Sequence, residues 1–214
     1  MVIFNDRQEA GNILAEKLQP LKPKLKNPIV LGIPRGGVPI GFIVAKTLEC
    51  PLDTIVLRKL PIPHNPEAGF GAVTLDKIAI LNEKLLSEIH LSKPQIDGII
   101  DNVYEEVLRR NNVYRRDKPF PDLNGRCVVL TDDGLATGYT MLAAIEFSKR
   151  KGAAEIIAAV PVAHREAYNL VKKEADKVVV LHISDFPYFA VASFYGEFSD
   201  MWDEEVIAYL AGKK

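Results

Sequence analysis

The sequence predicts an α/β fold, a mostly parallel central sheet with helices on both faces plus a small C-terminal hood, and three observations carry that prediction. Unbroken apolar runs such as 29–33, 127–131 and 155–161 have the length of strands and lack polar alternation, as strands buried on both faces do. Between them lie segments with a helical period, so strands and helices alternate as they do in parallel β-α-β crossovers. A chain of 214 residues with 48% hydrophobic content is also long enough to bury one sizeable core and a modest appendage.

Taken in order, Asn5 or Asp6 caps a first helix that turns Ala10, Ile13, Leu14, Ala15 and Leu18 inward; Glu9 is placed for a capping box and Pro20 closes the helix. A strand over 29–33, a helix over 38–48 and a strand over 54–57 follow. The Pro- and Gly-rich stretch 61–69 reads as a loop, with short strands near 72–75 and 78–81 after it. A long polar helix spans 96–116. The strand 127–131, helix 139–151, strand 155–161, helix 165–174 and strand 177–181 complete the alternation. Residues 1–183 form the core, carrying a flexible loop over 59–70, and residues 184–214 form the hood and a terminal helix.

The charge balance excludes some partners. Lys and Arg number 27 against 28 Asp and Glu, so no overall basic field collects nucleic acid or anionic membrane, and any anion must be held locally. No apolar run approaches the roughly 20 residues of a membrane helix, and MVIFNDRQEA lacks the basic and apolar regions of a signal peptide. A cytoplasmic location is expected. Cys50 and Cys127 lie far apart beside apolar segments with no CxxC or Cys/His spacing, and read as small buried hydrophobes.

In open α/β sheets, ligands bind beyond the carboxyl ends of the strands. Three loops of unusual composition leave strands at that edge: IPRGG, RKLPIPHNPEAGFG and TDDGLATGYT. In the last, Gly134 and Gly138 let the backbone bend so that amides converge on one anion. Thr137, Thr140 and the start of the next helix add hydroxyls and a positive dipole end. Asp132 and Asp133 can accept from two neighbouring hydroxyls or approach a hydrated Mg²⁺. Phosphate beside a vicinal diol describes a ribose 5-phosphate. GxxxxGK[ST] and GxGxxG are both absent.

The string TDDGLATGYT resembles the phosphoribosyl pyrophosphate (PRPP) motif of type I phosphoribosyltransferases. With its RGGVP, RKL…GFGAV and DDGLATG blocks the chain is most like a group of predicted phosphoribosyltransferases, and less like any named salvage enzyme. The resemblance implies a Mg²⁺-dependent transferase acting on PRPP and a nitrogenous base, and a homo-oligomer such as a dimer. Asp132 and Asp133 would hold the ribose hydroxyls and, through water, the metal; Leu135, Ala136, Thr137, Gly138 and Thr140, with Gly134, would hold the 5′-phosphate. Arg35, Gly36, Gly37, Arg58 and Lys59 would hold the pyrophosphate, and the loop after Lys59 would fold over the substrate and exclude water.

Other readings stay open at this level. A non-catalytic PRPP or nucleotide sensor could use the same fold; a hydrolase or aldolase is less favoured because no Ser/His/Asp set stands out. His64 and Glu67 are acid–base candidates or plain loop residues. Arg109, Arg110, Arg115 and Arg116 read as a solvated helix face or a subunit contact, and FPYFAVASFYGEF as core or dimer packing or as a hood that stacks a flat base. Ala136 stands where 6-oxopurine enzymes carry a further Asp, so hypoxanthine and guanine are expected to be poor acceptors and adenine or another amine-bearing heterocycle better ones.

Overall fold

The computed structural model describes residues 2–63, 65–116 and 118–213, without the side chains of Pro66 and Glu67. A five-stranded parallel sheet forms the centre. Its strands are β1 (Ile29–Gly32), β2 (Leu52–Thr54), β6 (Cys127–Thr131), β7 (Glu155–His164) and β8 (Lys177–Ser184), in the order β2-β1-β6-β7-β8. Alternate residues of one strand serve opposite cores. In β6, Val128 and Leu130 pack beneath α5 (Tyr139–Arg150) and α6 (Arg165–Val171), whereas Cys127 and Val129 face α1 (Arg7–Leu18) and α2 (Gly37–Leu48).

The first helix is capped by Asp6, whose carboxylate accepts from the Glu9 amide at 2.8 Å while Glu9 accepts from the Asn5 amide. Ile13, expected inside, is 40% exposed. The buried face runs instead through Gly11, where a Cβ would lie 2.7 Å from Ile43 Cδ1, so the absence of a side chain lets α1 lie close on α2.

The second strand lies earlier than the 54–57 run suggests. It pairs with β1 over Val30↔Leu52 to Gly32↔Thr54, and β1 ends there; the Ile55 amide still donates to the Gly32 carbonyl at 3.2 Å, and Ile55, Val56 and Leu57 are buried in the connection that follows.

The stretch expected to be a loop is instead a hairpin. β3 (Arg58–Ile62) and β4 (Asn65–Val73) pair antiparallel, and β5 (Ala79–Leu81) adds a third strand. Pro61 fits because the register shifts on either side of its pairing with Gly69, a bulge that tolerates a missing N–H. Leu60 and Phe70, both fully buried, anchor the hairpin.

Behind this small sheet lie α3 (Glu83–Ile89), a helix not expected from the sequence pattern, and α4 (Lys93–Arg115), which starts three residues before the helix expected over 96–116. A capping box between Ser92 and Gln95 sets that start. The C-terminal α7 (Asp203–Leu210) joins this same core through Val206, while residues 189–198 form a separate aromatic cluster with Phe4 and Val162.

Arg115 is neither solvated nor at an exposed face. Its guanidinium pairs with both Asp53 oxygens at 2.9 and 3.2 Å, donates to the Thr54 carbonyl and stacks on Phe120, fastening α4 to the edge strand β2. Both cysteines are free, and burial pushes the Cys50 thiol up to about 11 and the Cys127 thiol to about 12, so they stay protonated.

Candidate active site

The loops after β1 and β6 meet at the carboxyl edge of the sheet, and two glycines permit the meeting. A Cβ on Gly37 would stand 2.3 Å from the Thr131 carbonyl oxygen and 2.8 Å from Asp132 Cα; one on Gly36 would fall 1.8 Å from Asp133 Oδ2. Thr131 completes the junction by donating its hydroxyl to the Gly37 carbonyl at 2.9 Å. These glycines therefore bring the 33–37 loop against the acidic strand end; neither lines the cleft that Asp132 borders, and the Gly37 amide donates to the Ile33 carbonyl at 2.9 Å.

The two aspartates do different things. Asp132 lines a cleft of about 470 Å³. Asp133 does not: its carboxylate is held by Arg7 of α1, with Nε and Nη2 each 3.0 Å from Oδ2. Arg7 in turn stacks on Phe198 at 3.9 Å and donates to the Ser199 carbonyl, and Tyr195 donates its hydroxyl to the Asp133 carbonyl at 2.7 Å. Helix, hood and acidic pair are thereby joined. Burial raises Asp132 well above the usual carboxylate range, reinforced by the neighbouring Asp133 charge; burial also raises Asp133, with Arg7 opposing.

Gly134, Leu135, Ala136, Thr137, Gly138 and Thr140 form one wall of the same cleft. Gly138 adopts φ +84°, which suits glycine, immediately before α5. Leu135 departs from the expected cradle: its amide donates to the Val162 carbonyl at 2.9 Å, its carbonyl accepts from the His164 amide, and its side chain is buried. It anchors the loop to β7.

The facing wall carries Arg58 and Lys59 of β3, Gly69 of β4 and, unanticipated, Arg110 of α4. Arg35 is not in the cleft lining; its guanidinium lies 3.9 Å from Asp203. His64 and the Glu67 side chain lie outside the described residues. A second cavity of about 490 Å³ adjoins the cleft across Ala136 and Thr137, bordered by Tyr139, His164 and Phe189. The His164 and Phe189 rings are 5.7 Å apart.

A family model described as phosphoribosyl transferase domain matches residues 6–193. The chain belongs to that family. The crystal structure of TT1426 from Thermus thermophilus shares 37% identity, covers 99% of both chains and superposes with a TM-score of 0.80. The AQ2163 protein from Aquifex aeolicus, 13% identical over 83% of this chain and 73% of its own with a TM-score of 0.53, shares the fold. The Mycobacterium tuberculosis (strain ATCC 25618 / H37Rv) protein named "Putative phosphoribosyl transferase Rv0571c" is 39% identical over 210 residues, 98% of this chain and 47% of its own length. The chain thus spans about half the length of the curated relatives it matches.

Arg7, Glu106, Arg110, Tyr195 and Asp203 were not singled out as site residues by sequence reasoning. Arg7 and Asp133 are 126 residues apart, and no local pattern joins them.

Proposed function

We propose that this family member transfers ribose 5-phosphate from PRPP to a nitrogenous base or amine, releasing pyrophosphate. The observation that carries the reading is the cleft itself. It sets a desolvated carboxylate, Asp132, a glycine and threonine loop, and a basic wall within one cavity of about 470 Å³. The 5′-phosphate would rest on residues 136–140 at the start of α5, and the ribose hydroxyls on Asp132. Arg58, Lys59 and the amides of Arg35 and Gly36 would take the pyrophosphate, since the Ile33 and Gly37 amides already donate to the Thr131 and Ile33 carbonyls and Pro34 has no N–H.

Cleaving the bond from ribose C1 to pyrophosphate builds positive charge on the sugar and negative charge on the leaving group. Asp132 and the basic wall are placed to stabilise one each, so catalysis rests on positioning and charge with no covalent nucleophile. The acceptor nitrogen would attack C1 from the opposite side, in the adjoining cavity, with Phe189 and His164 offering stacking faces. Closure of the β3–β4 hairpin over the substrate would exclude water.

Mg²⁺ retains several waters and takes one or two carboxylates plus substrate phosphates. Among the described residues no group of three His, Cys, Asp or Glu side chains could hold a metal, but Asp132 meets this smaller demand through water, whereas Asp133 is already engaged with Arg7. The metal would neutralise pyrophosphate charge. A regulatory PRPP sensor on the same fold is the second reading, since binding PRPP would need the same cleft.

Pyrophosphate release from PRPP and Mg²⁺ in the presence of each nitrogenous base tests the first reading. Base-dependent release supports it. Binding of PRPP without release on any base supports the sensor.

A further inference from the structure

The basic wall contains more arginine than the loops alone supply. Arg109 and Arg110 stand one turn after Glu106 on α4, a 23-residue helix seated on the small sheet by the buried Val107, so their positions are fixed by packing. Glu106 accepts from three guanidiniums: Arg58 Nη1 at 2.9 Å, Arg110 Nε at 2.9 Å, and Arg109 through Nε at 2.6 Å and Nη2 at 2.8 Å. Asp203 lies 3.7 Å from Arg109 and 3.9 Å from Arg35, and accepts from the Tyr114 hydroxyl.

Among the described residues, the ion pairs of this cluster join four guanidiniums to two carboxylates, a surplus of two positive charges. The arrangement is unequal in depth. Arg109 is half exposed outside the cleft, while the Arg110 side chain is 16% exposed and lines the cleft beside Arg58. Gathering like charges in a partly buried place is unfavourable unless an anion joins them. Burial, then the neighbouring Arg110 charge, lowers the Arg58 pKa, in keeping with a pair that lacks full compensation. A diphosphate group supplies the missing charge, and planar guanidiniums suit its oxygens.

We propose that Arg110, carried into the cleft by α4, binds the pyrophosphate group of the substrate together with Arg58, and that Glu106 is their resident counter-ion, orienting both until pyrophosphate takes its place. The inference rests on the phosphoribosyl reading only in taking a pyrophosphate-bearing substrate to enter this cleft. Glu106 then has two opposed effects. It holds the arginines in position, and it competes with the incoming anion.

Calorimetry on the full chain separates the claims, with Mg²⁺ and inorganic pyrophosphate as one probe and ribose 5-phosphate as the other. Arg110→Gln should weaken pyrophosphate binding about 10–100-fold, the range of one lost hydrogen bond to a charged group, and leave ribose 5-phosphate binding unchanged. Arg110→Lys, which keeps charge but not the fork, should fall between. Glu106→Gln should tighten pyrophosphate binding several-fold. Wild-type affinity for pyrophosphate in Arg110→Gln overturns the assignment, and weaker binding in Glu106→Gln overturns the counter-ion role. Arg110-dependent pyrophosphate binding without turnover on any base supports the inference and sinks only the catalytic reading. A wild-type protein that binds neither probe overturns both.

Discussion

Replacing Gly37 by Ala tests whether the meeting of the two loops matters for the site. The added Cβ would lie 2.3 Å from the Thr131 carbonyl oxygen and 2.8 Å from Asp132 Cα, both backbone atoms, where ordinary contact begins near 3.4 Å. Neither neighbour can rotate away, so the 33–37 loop must retreat from the acidic strand end by about 1 Å in a core that packs like a crystal. Overpacking of this kind costs about 1–3 kcal/mol, exceeding the gain of at most about 1 kcal/mol that alanine brings to a helix.

For a chain of this size that corresponds to about 2–4 °C of melting temperature per kcal/mol, and a 1 Å displacement near the chemistry can cost about 10²-fold in kcat/KM. Gly98→Ala is the internal control. Nothing lies within 4 Å of its Cβ, and in mid-α4 the change should stabilise by about 0.5–1 kcal/mol with activity unaltered. Thermal melts and PRPP titrations of both variants decide the matter. A Gly37→Ala protein with wild-type melting and wild-type PRPP affinity would refute the reasoning.

Two further outcomes follow from the unequal aspartates. Asp132→Asn should remove about 2–4 kcal/mol of transition-state stabilisation, read as kcat/KM, with little change in stability, whereas Asp133→Asn should chiefly lower the melting temperature because it leaves the part-buried Arg7 without its carboxylate. Equal kinetic effects of the two would contradict the separation. The pH profile gives the other. Burial holds the Asp132 proton to higher pH than in the unfolded chain, so ionising it costs folding stability as pH rises, while activity that needs its charge fades as pH falls through the raised pKa. Arg7 favours the ionised form, so Arg7→Gln should move the acid limb of kcat/KM to higher pH; movement to lower pH would be inconsistent with this sign.

The central sheet was legible in the sequence because strands such as β6 and β7 are buried on both faces and therefore read as unbroken apolar runs. The TDDGLATGYT stretch stood out because glycines, threonines and paired carboxylates gather at one strand end, and the structure sets Asp132, Gly134, Thr137 and Thr140 along one cleft. The hairpin was not, since Pro61, Pro63, Pro66 and Gly69 carry the local signal of a loop; the bulge at Pro61 and the burial of Leu60 and Phe70 outweigh it. Nor was the place of Arg110 in the cleft lining. A Glu106, Arg109, Arg110 pattern on a polar helix reads as solvated ion pairs, and only folding brings Arg58, 48 residues away in sequence, to the same carboxylate. Arg7 was hidden for the same reason. The contacts that distinguish the two aspartates are long-range, and short-range periodicity carries no information about them.

The central claim is that this cleft performs phosphoribosyl transfer with Asp132 as the charged group facing the sugar. The most direct test is pyrophosphate release from PRPP and Mg²⁺ across a panel of bases, run side by side with wild type and Asp132→Asn. The account predicts base-dependent release, with adenine or another amine-bearing heterocycle ahead of hypoxanthine and guanine because of Ala136, and a loss of about 10²–10³-fold in the variant. Release on no base, or equal release in wild type and Asp132→Asn, would contradict it.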